Sequence, residues 1–153
     1  MVVISGEKWG DFMFMGEYHH TIDDKGRLTI PSKIRNELGN NFIITRGLDK
    51  CLAIYSNNEW SKVIDKYKEL PDTKDARKFK RFLLSGATGN DFDKQGRVNI
   101  SIPLTNYAEL ERDCVIIGVD DHLEVWNENN WNNFIKENED DLSDIADKLF
   151  ASE

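Results

Sequence analysis

Two short stretches carry residue types able to do chemistry: Asp23-Asp-Lys-Gly-Arg27 and Asp93-Lys-Gln-Gly-Arg97. Each sets an acid four residues ahead of an arginine, with a glycine between them. Glycine takes positive φ without steric cost, so the spacing describes a tight turn with long cations at its tip. From such a tip Lys25 and Arg27 can reach phosphates, and an arginine fork can read O6 and N7 of guanine in a major groove. Asp23 is then the residue that holds Arg27 or caps the turn, because a carboxylate facing phosphate repels it. Gly26 supplies the turn's backbone freedom. Lys94 and Arg97 take the same role in the second stretch, supported by Asp93 and Gly96. Just beyond the first turn, Lys33 and Arg35 either extend the positive strip or form the wet face of a short helix. A merely solvated charged turn is the competing reading throughout.

Other constellations lead nowhere catalytic. His19 and His20 are adjacent, and neighbours on a strand point to opposite faces, so they cannot chelate one metal ion together. Cys51 and Cys114 sit in apolar runs without a CxxC pair, as buried free thiols do. Gly86-Ala-Thr-Gly89 lacks the Lys-Ser/Thr of a phosphate loop, and no GxSxG elbow occurs. The carboxylates between Glu137 and Asp144 form a crowded run instead of a spaced acid/base pair. Trp60 and Trp131 fall in helical stripes and read as packing residues, not base-stacking platforms. The expectation is a protein with no enzyme activity, cofactor, metal or small-molecule substrate.

The elements that must position the turns come in two copies. Asp23–Ile30 recurs as Asp93–Ile100 at an offset of 70, and Gly47–Trp60 recurs as Gly118–Trp131 at an offset of 71. Each copy reads as strand, tight turn, strand, short helix, strand, turn, strand, helix. Tyr18, Ile22, Leu28 and Ile30 flank the first turn as a hairpin would. Pro31 can start a helix that Gly39 stops, with Ile34 and Leu38 four apart on one face. Phe42–Thr45 and Leu52–Tyr55 flank the turn at Gly47. Ser56 and Glu59 resemble a capping box ahead of the stripe Trp60, Val63, Ile64, Tyr67 and Leu70. After Pro71, a linker helix carries Phe79, Phe82 and Leu83. The resulting division is an extension at 1–12, a first repeat at 13–70, a linker at 71–89, a second repeat at 90–136 and an acidic tail at 137–153. One four-stranded copy leaves sheet edges open. Two copies are therefore expected to share a small closed or nearly closed barrel, mainly β with flanking helices (α+β), about an internal pseudo-two-fold.

A chain of 153 residues with eight Phe, four Trp and four Tyr can bury a real core. No apolar run reaches the length of a membrane span, and a signal-peptide pattern is missing, so the expected location is the cytoplasm. The net charge of −8 is unevenly spread. Eight acids and two bases lie from Asn127 onward, so the body carries only −2. Lys74, Arg77, Lys78, Lys80 and Arg81 form a second basic cluster, read as solvated charge or subunit contacts.

With Met-Phe-Met-Gly-Glu-Tyr18, Asp-Lys-Gly-Arg-Leu-Thr-Ile-Pro31, Thr-Arg-Gly-Leu-Asp49 and the second turn through Arg97, the chain resembles the MraZ family of bacterial transcriptional regulators over about Met13 to Trp131. That family is similar to the SpoVT/AbrB group, whose paired units form swapped-hairpin (double-split) β-barrels that bind DNA. The resemblance implies a nucleoid-associated, ring-forming homo-oligomer. Such a ring binds double-stranded DNA at direct repeats upstream of its own operon and represses cell-division and cell-wall genes there. It also turns the reading of Arg27 toward DNA contact. An assembly protein that makes rings but binds a protein partner is the alternative. Where the family's second copy continues Ile-Pro and then Arg, this chain has Ile100-Ser101 and Thr105, with Pro103 shifted by two. The second copy is thus the weaker DNA reader, or structural only.

Overall fold

The computed structural model describes residues 13–151; the extension at 1–12 and the last two residues lie outside the described residues. The first copy contributes β1 (Glu17–Thr21), β2 (Arg27–Thr29), α1 (Ser32–Leu38), β3 (Asn41–Arg46), β4 (Leu52–Ser56) and α2 (Asn57–Lys68). Next comes α3 (Lys74–Ser85). The second copy repeats the order with β5 (Thr88–Asp91), β6 (Arg97–Asn99), α4 (Ile102–Tyr107), β7 (Asp113–Val119), β8 (His122–Asn127) and α5 (Glu128–Asn138), and α6 (Leu142–Leu149) follows.

Local chemistry explains the boundaries. Pro31 occupies the N-cap of α1 and Gly39, at φ 89°, ends it, while Ile34 and Leu38 turn inward. The equivalent N-cap of α4 is Ser101, whose hydroxyl accepts from the Leu104 N–H at 3.4 Å, and Pro103 falls in the first turn, where its missing N–H costs nothing. Losing the Ile-Pro pattern therefore leaves the helix start in place. Ser56 accepts from the Glu59 N–H at 3.2 Å, but the Glu59 carboxylate goes to Lys62, so only half of the capping box forms.

Among the described residues, eight strands form a six-stranded antiparallel sheet, ordered β1-β7-β8-β4-β3-β5, and a two-stranded ribbon of β2 with β6. The order is palindromic between the copies. β1 of the first copy pairs with β7 of the second, His19 opposite Val115, and β5 of the second pairs with β3 of the first. Two expectations need correction. The turn at Asp23–Gly26 forms, closed by Asp23 N–H on the Arg27 carbonyl at 3.0 Å and by the Ile22–Leu28 bridge, but its arms do not run on as a hairpin: β1 pairs with β7 and β2 with β6. Nor, among the described residues, does the sheet close into a barrel; the ladder ends at β1 and β5, and the ribbon packs against it through side chains.

The main core joins the ribbon (Leu28, Val98), the two short helices (Ile34, Leu38, Leu104) and the sheet (Phe42, Ile54, Ile116, Val125). Cys51 and Cys114 are free and fully buried. Burial pushes the Cys114 thiol up to about 11 and Cys51 higher still, so neither is a thiolate at neutral pH.

His19 ties β1 to α5. Its ring faces Glu128 at 2.9 Å and Glu17 at 2.7 Å, and these two hydrogen bonds, Glu128 first, raise its pKa above 6.5. Both ring nitrogens meet carboxylates, which only the imidazolium can satisfy as a double donor. Because the folded pKa is raised, the stabilisation is fully present below about 6.5 and is lost as pH rises through the folded value. The side chain is half exposed, so the energetic effect is small. A proton NMR titration is expected to place the His19 midpoint above that of unpaired histidine, and Glu128→Gln to bring it back down.

Candidate nucleic-acid interface

Both turns are built alike. In the first, Asp23 Oδ1 accepts from the backbone N–H groups of Lys25 at 3.0 Å and Arg27 at 2.9 Å, while Oδ2 receives the Arg27 Nε–H at 2.7 Å. In the second, Asp93 accepts from Gln95 at 2.8 Å, the Arg97 backbone at 2.9 Å and Arg97 Nε at 2.8 Å. The backbone N–H of each arginine, ahead of its side chain, holds each carboxyl below the usual carboxylate range, so both are ionised at neutral pH. Gly26 and Gly96 sit at φ 80° and 76°, the region that favours glycine. Their carbonyls point across the ribbon: Gly26 accepts from Ile100 N–H at 2.8 Å and Gly96 from Ile30 N–H at 3.1 Å. Each turn is thus anchored to the other copy.

This cross-anchoring brings the two arginines to one end of the molecule. Asp23 Oδ2 lies 3.9 Å from the Arg97 guanidinium as well as 2.7 Å from that of Arg27. The Nε bonds fix the plane of each guanidinium and leave part of it open to a ligand, with side-chain exposures of 33% for Arg27 and 24% for Arg97. Such an oriented fork suits phosphate or a base edge, since little further ordering is needed on binding. Lys25 is exposed beside Gly26, Lys94 is exposed two residues before Gly96, and Lys33 is exposed on α1.

Arg35 sits differently. It donates to the Ile30 carbonyl and its guanidinium covers Gly96, where a Cβ would have to push the guanidinium aside. Its partner position in the second copy is Thr105, and here an open groove of about 1080 Å³ lies against Gly26, lined by Asn99, Thr105 and Arg112 among others. Asn99 and Arg112 escaped the sequence reading because Asn99 stands where the first copy has Thr29 and Arg112 lies outside the repeated segments. Arg46 holds α3: it donates to the Phe82 carbonyl at 2.6 Å and lies over the Phe82 and Tyr107 rings.

Trp60 packs on Tyr55, and Trp131 on Trp126 and Phe134, in agreement with the packing role read from their stripes. Among the described residues, no group of three or more His, Cys, Asp or Glu is gathered to hold a metal ion, and no helix is long and apolar enough to cross a membrane.

A family model described as "MraZ protein, putative antitoxin-like" matches the sequence twice, over residues 13–82 and 83–152. The boundary between the matches falls inside α3, so each match takes in one Asp-Gly-Arg turn and one strand of the ribbon. With these two tandem matches covering nearly its whole length, the chain belongs to the MraZ family.

Proposed function

We propose that this chain is a sequence-specific, DNA-binding transcriptional regulator that acts by binding alone. In this reading it works in the cytoplasm on the nucleoid, as a ring-shaped homo-oligomer, and represses its own operon of cell-division and cell-wall genes through direct-repeat sites. The observation that carries the reading is the pair of Asp-held arginines, Arg27 and Arg97, brought side by side by the ribbon. Family membership supports it at the level of a regulator. The exchange of β1 and β5 between copies supports kinship with the swapped-hairpin DNA-binding folds of the SpoVT/AbrB group. Lys25, Arg27 and Lys33 lead the contact, Lys94 and Arg97 assist, and Arg35 serves mainly through the second turn that it covers.

A gel-shift with the DNA upstream of the protein's own gene tests this directly: a retarded band competed by that DNA and not by scrambled DNA is expected. Contacts to phosphates from several turns at once make affinity fall steeply with salt, with a slope of log K against log salt near −0.9 per neutralised phosphate. Titrations at a series of salt concentrations are expected to give a slope corresponding to several phosphates per assembly. Salt-independent binding, or no shift at all from an intact oligomer, favours the second reading, a ring that binds a protein partner. The uncovered apolar side chains of α6, such as Leu149 and Phe150, give that alternative its footing.

A further inference from the structure

The helices that close the two repeats have unlike surroundings. α3 is docked: the Thr45 hydroxyl donates to the Leu83 carbonyl at 2.6 Å, Arg46 holds the Phe82 carbonyl, and Phe79 packs on Tyr67. Its counterpart α6 has no such contact among the described residues, and every residue from 139 to 151 is exposed. Yet α6 is no ordinary solvated helix. Leu142, Ile145 and Leu149 fall at spacings of three and four, making one apolar stripe, and Phe150 continues it at 82% exposure. Such a contiguous apolar strip marks a contact surface.

The charges around it identify what covers it. From Lys136 to Lys148 there are six acids and two bases, a net charge of −4. From Lys74 to Arg81, on α3, there are five bases and one acid, a net charge of +4. Lys74, Arg77, Lys78 and Arg81 lie three or four apart, so they share the outward face of α3, while Phe79 and Leu83 turn inward. Of the cations only Arg77 has an ion-pair partner in its own chain, Asp72 at 2.7 Å; Lys74, Lys78, Lys80 and Arg81 have none among the described residues. Nor do the acids of α6 and the turn before it. Leu84, 44% exposed, and Leu70, 39% exposed, give the α3 side its own apolar contribution.

We propose that α6 of one chain docks on the outward face of α3 of a second copy. α3 lies by β3 and α6 follows the helix by β7 and β8, on opposite sides of the pseudo-two-fold, so each chain offers a donor helix and a different acceptor face. Unlike surfaces joined in this way propagate head to tail and close into a ring when the rotation allows. The inference rests on the proposed assembly of several copies and not on DNA recognition.

The test is charge reversal with rescue, read by light scattering on the full chain at micromolar concentration. Wild type is expected as a multi-protomer species. Lys78→Glu with Arg81→Glu is expected to give monomer, and so is Asp144→Lys with Asp147→Lys; the four changes combined restore the oligomer. All four residues are exposed, so circular dichroism melts are expected to match wild type. If a reversed variant loses its fold, Ile145→Asp takes its place, which breaks the exposed apolar stripe of α6 and is expected to give monomer. The proposal is overturned if either reversed pair assembles like wild type, if the combined variant stays monomeric, or if wild type itself is a monomer, which hands the α6 stripe to an unrelated partner. DNA affinity measured on the same samples keeps the two readings apart, since a wrong α3–α6 pairing leaves wild-type DNA binding intact.

Discussion

Arg27→Ala is expected to remove most of the affinity for the upstream DNA, and Arg97→Ala a smaller part. A lost bidentate base contact costs about 1 to 3 kcal/mol, roughly 5- to 150-fold in affinity, and an assembly engaging several repeats loses it at every engaged copy. The first turn carries Lys25 and the exposed Lys33 beside Arg27, whereas the second has Gln95 and Pro103 at the corresponding places. Arg27 is also the more accessible of the two. Its removal has a second effect. Asp23 keeps its charge, held by backbone N–H groups, but loses its 2.7 Å partner and retains only Arg97 at 3.9 Å, so a bare carboxylate faces the phosphates. Binding isotherms alongside thermal melts check this. Should Arg97→Ala prove the more damaging with both melts unchanged, the leading turn belongs to the second copy.

The largest loss of stability is expected from Leu28→Ala, about 2 to 5 kcal/mol by chemical denaturation. Leu28 is fully buried and stands opposite the equally buried Val98 at the centre of a ribbon only three residues long on each strand. A cavity there cannot be refilled by sliding the ribbon, because a one-residue slip turns Leu28 outward. It also loosens both turns at once, since Gly26 and Gly96 are each bonded to the strand of the other copy. DNA binding is therefore expected to fall with Leu28→Ala even at temperatures where the chain remains folded, whereas a comparable cavity at Ile54, in the middle of the sheet, is expected to cost stability with less effect on binding.

Much of this molecule is legible one repeat at a time. Turn chemistry at Asp23-x-x-Gly26, the Pro31 and Gly39 bracket on α1, and the Ser56 cap are local signals, and each forms where the sequence puts it. Partnership between strands is not local. A period-two pattern in Tyr18–Ile22 tells which side chains face a core, and says nothing about whether the neighbour is β2 seven residues on or β7 almost a hundred residues on. That is why the pattern reads as a hairpin where the strands exchange. The role of Arg35 is hidden for a similar reason: its sequence neighbours are the cations of the first turn, but its partners are a carbonyl and a glycine from opposite copies. Composition likewise labels residues 137 onward as an acidic run and hides the apolar stripe of α6, which emerges only when the spacing of Leu142, Ile145 and Leu149 is read as a helix.

The exchange of β1 and β5 also sets an order of events at the ribosome. β5 pairs with β3, which is made before it, but β1 must wait for β7: His19 meets Val115 only after 96 further residues have been joined. At roughly 5 to 20 residues per second, the N-terminal strand spends on the order of 5 to 20 s without its partner. During that interval a nascent chain exposes an open strand edge to neighbouring nascent chains on the same message, each carrying the same complementary pieces. Repeats that complete one another inside a chain can do so between chains, so synthesis itself is the moment at which strand-exchanged dimers of this protein are most easily made.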